Sequence, residues 1–262
     1  MRRAGPVTFR PWRRVRRFSL GRLVGLTAVA AGGLGALTAV PAEYFWPAAA
    51  GVVGVVSVGC IRFNPFGRGL TPVGILPGLM TLVLAAGLFI VRGSPWAWGV
   101  VGAGLGLLPL TVLMEGRAHF EPAVSPFRLW YGLLVYLLGL VIFTAIFGTR
   151  ERSLFTATGI GAVSALLWAA LRAGHQPASQ SGWVYYLVVF LVMGELTWAL
   201  NYWPISTVAG GGTLMLAFFA ITQLAGAHLT HTLDRRQGLE LALVVGVLLG
   251  VLWTAGLSLG GG

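Results

Sequence analysis

Apolar residues run along this chain in nine long stretches, separated by short segments rich in arginine, glycine and proline. Each stretch holds 17 or more residues, enough at about 1.5 Å per residue to approach the thickness of a hydrocarbon core of about 30 Å. The pattern predicts an all-α, polytopic helical integral membrane protein. Its spans are read at 23–40, 45–61, 71–91, 96–114, 127–147, 154–172, 183–201, 205–230 and 239–259. A basic tail, 1–22, precedes a single transmembrane helical domain, 23–262.

Several span ends carry local chemistry. Ser94-Pro95 and Ser125-Pro126 place an N-cap residue before a proline at the first helical position, where a missing N–H costs nothing. Trp203-Pro204 serves similarly before the eighth span. The third span is the weakest, because Pro72 and Pro77 lie in its first turns and predict irregular backbone over 62–77.

Composition then removes the soluble classes. Of 262 residues 56% are hydrophobic and 10% charged, whereas soluble domains carry roughly 25% charged residues. The net charge of +11 does not point to nucleic acid, because the arginines are spread over short loops. Counted with the N-terminus inside, the inner segments hold 15 arginines and the outer loops hold Arg92, Arg150 and Arg152. The positive-inside rule therefore predicts an inner N-terminus, an outer C-terminus and a multi-pass protein of the bacterial cytoplasmic membrane. All 18 basic residues are arginine, as a GC-rich genome would give.

An alternative stands beside this topology. Residues 1–42 combine a basic region, an apolar stretch and Val40-Pro41-Ala42, the outline of a cleaved signal peptide. The apolar stretch of about 18 residues exceeds the usual 7–15 and runs straight into another span. Cleavage would leave eight spans. In either case Arg13, Arg14, Arg16 and Arg17 are placed to meet anionic lipid headgroups.

Few residues are left to carry chemistry. Glu195 lies about two-thirds along the seventh span, where an ionisable side chain is expensive and is expected to face protein or water. On a helical wheel Gly194, Glu195, Thr197, Trp198, Asn201 and Tyr202 share an arc of about 160°. Val192, Met193, Leu196, Ala199 and Leu200 take the remainder, the expected lipid face. The chain then turns back into Ala209-Gly210-Gly211-Gly212, expected near the level of Glu195. This predicts a substrate or ion site of Glu195, Trp198, Asn201 and Tyr202, or else a hydrogen-bonded Glu195 that locks helices together.

His228 and His231 are weak metal candidates, one turn apart without a third ligand of convincing spacing. Thr222 and Gln223 are read as interhelical hydrogen-bonding residues, and Glu240 as a carboxylate in the first turn of its helix. Glu115, Arg117, His119 and Glu121 are read as the richest inner loop. Cys60, the one cysteine, excludes an intramolecular disulfide and is read as a buried structural thiol. Gly21-xxx-Gly25, Gly102-xxx-Gly106 and Gly246-xxx-Gly250 match the small-xxx-small pattern of closely packed helices. A weak echo relates 35–47 to 194–204, through Gly-Ala-Leu-Thr and Gly-Glu-Leu-Thr followed by Tyr-Phe-Trp-Pro and Tyr-Trp-Pro.

Paired catalytic carboxylates, HExxH, G-x-S-x-G, a phosphate-binding loop and a c-type haem signature are all absent from the sequence. No cofactor is predicted. The expected partners are membrane lipids and either another membrane protein or a second copy of the chain, with no nucleic acid. Three functional readings remain: a non-enzymatic accessory or scaffold subunit, a small-solute or ion transporter around Glu195, and an intramembrane enzyme acting on lipid through the histidines and Glu115.

Overall fold

A computed structural model describes residues 19–62, 74–91, 93–118, 126–149, 153–172, 182–229 and 234–259. Among them the protein is all-helical. The order is α1 (Leu20–Leu37), α2 (Ala42–Arg62), α3 (Ile75–Ile90), α4 (Trp96–Ala118), α5 (Pro126–Gly148), α6 (Ser153–Leu171), α7 (Gly182–Leu200), α8 (Thr207–Leu229) and α9 (Arg235–Leu259). Seven of these are long and apolar enough to cross a membrane; α3 and α9 contribute shorter apolar stretches, Ile75–Ile90 and Gly238–Val251. The tail arginines Arg13, Arg14, Arg16 and Arg17 lie outside the described residues.

The helix ends follow from their sequences. The Ser19 carbonyl accepts from the Arg22 and Leu23 N–H groups at 3.1 and 3.3 Å, starting α1, and Pro41 follows its last turn. Before α4 the Ser94 carbonyl accepts from Ala97 N–H, while the Ser94 hydroxyl turns back to Val91 O at 2.7 Å. The start of α8 is two residues later than the 205 expected from Trp203-Pro204. Ser206 supplies the cap, its Oγ accepting from Ala209 N–H at 3.3 Å. In α3 the helix begins at Ile75, so Pro77 falls in the first turn, where an N–H has no helical partner to lose.

Neighbouring helices pack antiparallel. Gly33 meets Val52 and Gly59 meets Leu26 between α1 and α2; Gly161 meets Phe190 and Gly194 meets Ala157 between α6 and α7. Two rings of four result. α1 packs on α2 and α4, and α3 on α2 and α4; likewise α5 packs on α6 and α8, and α7 on α6 and α8. The rings join where α3 packs on α5 and α6 and α4 on α5, and α9 lies against α8. This architecture pairs α1–α2 with α5–α6. The echo between 35–47 and 194–204 would instead pair α1–α2 with α7–α8, so it does not follow the fold.

The ends of the bundle differ in chemistry. Arg22, Arg62, Arg117, Arg128, Arg172 and Arg236 all fall at one end, by their places at the starts of odd and the ends of even helices. At the opposite end Tyr44, Trp46, Trp96, Trp98, Tyr202 and Trp203 are exposed, and Trp130 and Trp183 are exposed at the arginine end, matching the aromatic belts expected at both membrane interfaces.

The small-xxx-small motifs do not pack within the chain. A Cβ added at Gly21, Gly25, Gly102, Gly106, Gly246 or Gly250 would meet nothing within 4 Å. The close approaches are elsewhere. Gly74 and Gly78 on α3 admit Ser57, Gly161 rests on the Phe190 carbonyl, and Gly210 and Gly211 press on Phe147 and Thr144 of α5. Spacing alone does not distinguish an inward pair of glycines from an outward one.

Candidate functional site

Among the described residues two carboxylates, Glu115 and Glu195, lie well along apolar helices, and their surroundings are opposite. Glu195 and Trp198 of α7 are exposed, with Trp198 54% accessible, and Tyr202 just beyond the helix is 67% accessible. The buried face of α7 is Val189, Met193, Thr197 and Leu200. The expected assignment of faces is therefore corrected for Met193 and Leu200, which point inward, and for Glu195 and Trp198, which point outward.

The reason is steric. Gly194 and Gly161 bring α7 and α6 within contact of each other's backbone at Ala157 and Phe190. In a membrane, association follows such close packing, because lipid accepts Met and Leu as readily as a protein core does. Thr197 meets its own need by donating to Met193 O at 2.6 Å. Gly210 and Gly211 of α8 do not come to Glu195; they face Phe147 and Thr144 of α5.

Of the expected site, Asn201 alone is engaged with a neighbouring helix. Its Nδ2 donates to Thr156 Oγ1 at 2.8 Å, tying the end of α7 to the start of α6. Trp198 and Tyr202 form an edge-to-face pair with centroids 5.2 Å apart. These two rings and Glu195 thus form an outward strip that runs inward along α7 from Tyr202 in the aromatic belt. His228 is exposed with its ring 6.2 Å from Tyr185, and His231 lies outside the described residues, as do His119 and Glu121. Among the described residues no group of three His, Cys, Asp or Glu is placed to hold a metal.

Glu115 is the carboxylate that sequence position misplaced. The apolar run stops at Met114, which assigned Glu115 to a loop, but α4 continues to Ala118. Glu115 is 0% exposed. Its carboxyl faces the backbone N–H groups of Gly74, Ile75 and Leu76, the first turn of α3. That turn has no side-chain cap of its own, since Gly74 occupies the N-cap position.

A helix N-terminus presents unsatisfied N–H groups and the positive end of the helix dipole, so a carboxylate is the complementary partner. At 16 residues, α3 extends about 24 Å and is enclosed by α1, α2, α4, α5 and α6. Its start is thus protein-bound, and the Glu115 carboxyl is the anionic group set against it.

Around this cap the polar groups are few and ordered. Cys60 is buried within electrostatic range of Glu115, and Tyr131 lies in range of both Glu115 and Arg128. The Tyr131 hydroxyl donates to Ala170 O at 3.0 Å, crossing from α5 to α6. Farther along α5, Tyr136 OH lies 3.0 Å from Thr222 Oγ1, and Gln223 Nε2 donates to Tyr136 OH at 3.3 Å. Thr222 and Gln223 thus have the interhelical role read from their sequence context. A signal for Glu115 was present: a span shortened by Pro72 and Pro77 needs a cap, and Glu115 sits at the matching end of the next span.

Residues 17–255 match the model of a family described as a protein of unknown function, DUF5656. The chain belongs to this family. The match runs from just before α1 into α9 and so takes in both helical rings, the Glu115 cap and the outward strip of α7. Neither the curated proteins nor the solved structures contain a match to the chain.

Proposed function

We propose that the protein is a non-enzymatic accessory or scaffold subunit of a membrane assembly. The observation that carries this reading is the outward direction of Glu195. By α7 geometry Glu195 lies about 8 Å inside the helix end at Leu200, where direct exposure of a carboxylate to lipid is unfavourable. A transmembrane helix of another protein, bearing an arginine, histidine or amide at that depth, would remove the cost and gain a hydrogen bond. The apolar residues on the same face, Leu187, Val188, Leu191 and Val192, are exposed as well and extend the contact surface. Outward glycine pairs on α4 and α9 add places for close helix approach.

The transporter reading needed Glu195 to face a cavity inside the bundle. The side chain faces away from it, so the subunit reading has the better support. Localisation in the bacterial cytoplasmic membrane, with the arginine-rich end inside, follows from the charge asymmetry and belongs to the same proposal.

The test is a photocrosslinking residue at Leu191, introduced into the full-length chain in native membranes, with mild-detergent purification of tagged wild type and Glu195→Leu. A stoichiometric adduct with a protein bearing a basic or amide residue in a span, weakened by Glu195→Leu, is the expected result. A monomer free of adducts, or an adduct unaffected by Glu195→Leu, would overturn the reading. An adduct between two copies of this chain would replace the hetero-subunit by a homo-oligomer.

A further inference from the structure

α1 and α2 touch at two levels, where Gly33 meets Val52 and where Gly59 meets Leu26. These contacts define one antiparallel register, and that register puts Arg22 level with Arg62. Between the two helices a groove of about 650 Å³ opens outward, lined by both arginines and by apolar residues such as Val29, Val55 and Val58. Its volume falls within the roughly 300–1,000 Å³ of ordinary ligand sites. Gly25 and Gly54 also line it, and a Cβ at either would meet nothing within 4 Å, so the missing side chains leave the groove open.

We infer that this groove holds one anionic phospholipid, its phosphate between Arg22 and Arg62 and an acyl chain along the α1–α2 seam. The two halves of the site match the two halves of such a molecule. A pair of guanidiniums at one depth suits a phosphate, which arginine binds through paired N–H groups. From Arg22 to Val29 the wall extends about 10 Å down the helix axis, and it is apolar from the arginines onward. Basic pockets between spans at a headgroup level are the general form of anionic lipid sites.

Charge decides against two other occupants. The basic N-terminal tail, with Arg13, Arg14, Arg16 and Arg17, would be repelled by the arginine pair. The α1–α2 face of a second copy would bring four arginines together.

Native mass spectrometry of the delipidated full-length chain, titrated with phosphatidylglycerol or phosphatidylcholine, tests the assignment. Wild type should bind one phosphatidylglycerol in preference to phosphatidylcholine. Arg22→Gln/Arg62→Gln should weaken phosphatidylglycerol roughly tenfold and phosphatidylcholine, whose phosphate charge is offset by its choline, by less, so that the preference between them shrinks. Gly54→Leu, whose Cβ would meet nothing within 4 Å, puts a side chain on the groove wall and should weaken both lipids. Replacing the four tail arginines by glutamine should leave this single site intact, and millimolar inorganic phosphate should not displace the lipid.

The assignment fails if the double glutamine variant or Gly54→Leu binds phosphatidylglycerol like wild type. It also fails if the tail variant alone abolishes the preference, or if free phosphate competes. A dimer that Gly54→Leu dissolves would give the groove to a second copy instead.

Discussion

Glu115 and Glu195 are the same side chain on two apolar helices, and the fold uses them in opposite directions. Glu115 is sealed inside the arginine-rich end, completing the start of α3. Glu195 stands on the outer surface near the aromatic end. The two carboxylates are thus placed differently: Glu115 against the backbone of its own chain, Glu195 on the surface, where the partner proposed above would meet it. The first placement concerns folding and the second, in that proposal, assembly. Substitution should separate them.

The largest effect is expected at Glu115. Glu115→Leu leaves the first N–H groups of α3 buried without an acceptor, a loss of about 3 kcal/mol or more for several unsatisfied donors. Thermal unfolding in detergent should show a large fall in Tm, with Glu115→Gln intermediate because its amide oxygen still accepts. A Glu115→Leu protein that melts with wild type would remove the capping role and with it half of the comparison.

Next comes the seam that seats the capped helix. Gly78 lies directly against Ser57 of α2, so Gly78→Leu overpacks the α2–α3 contact at a cost of about 1–3 kcal/mol. Gly246→Leu, on the open face of α9, should stay within about 0.5 kcal/mol. Measured side by side, the pair tells whether inward glycines hold the fold while outward ones are free for other uses. Equal effects would mean that α9 has a partner even in the purified protein.

These contrasts also mark what the sequence makes legible. Run length and arginine placement are properties of single segments facing a solvent of known thickness, so the helices and their order could be read directly. Facing is a property of pairs. Met193 and Leu200 were assigned to lipid because they are apolar, yet Gly194 and Gly161 turn them inward, and no single-helix pattern contains that information. Glu115 shows the same limit at a helix end. One residue beyond an apolar run looks like a loop until the short α3 beside it is known to need a cap. Interhelical hydrogen bonds were easier, because Thr222 and Gln223 have few alternatives in an apolar span.

A smaller effect should follow Tyr131→Phe, which removes the hydrogen bond to Ala170 O while keeping the ring. The expected loss is about 1 kcal/mol. Combined with Glu115→Gln, the loss should be less than additive if the two groups form one polar cluster, since residues in contact couple. Strict additivity in a double-mutant cycle would separate the α5–α6 tie from the α3 cap.

The smallest effect on stability is expected where the sequence places the strongest functional suspicion. Glu195→Leu removes an exposed carboxylate and puts an apolar side chain towards lipid, so the purified monomer should melt within about 0.5 kcal/mol of wild type or slightly above it. Asn201→Ala, six residues on the C-terminal side of it, breaks the bond to Thr156 and should cost about 0.6 kcal/mol, the usual worth of such a bond between spans. The inequality is the point. If Glu195→Leu costs the monomer more than Asn201→Ala, the carboxylate is working inside the fold. Its outward strip would then lose its claim on a partner.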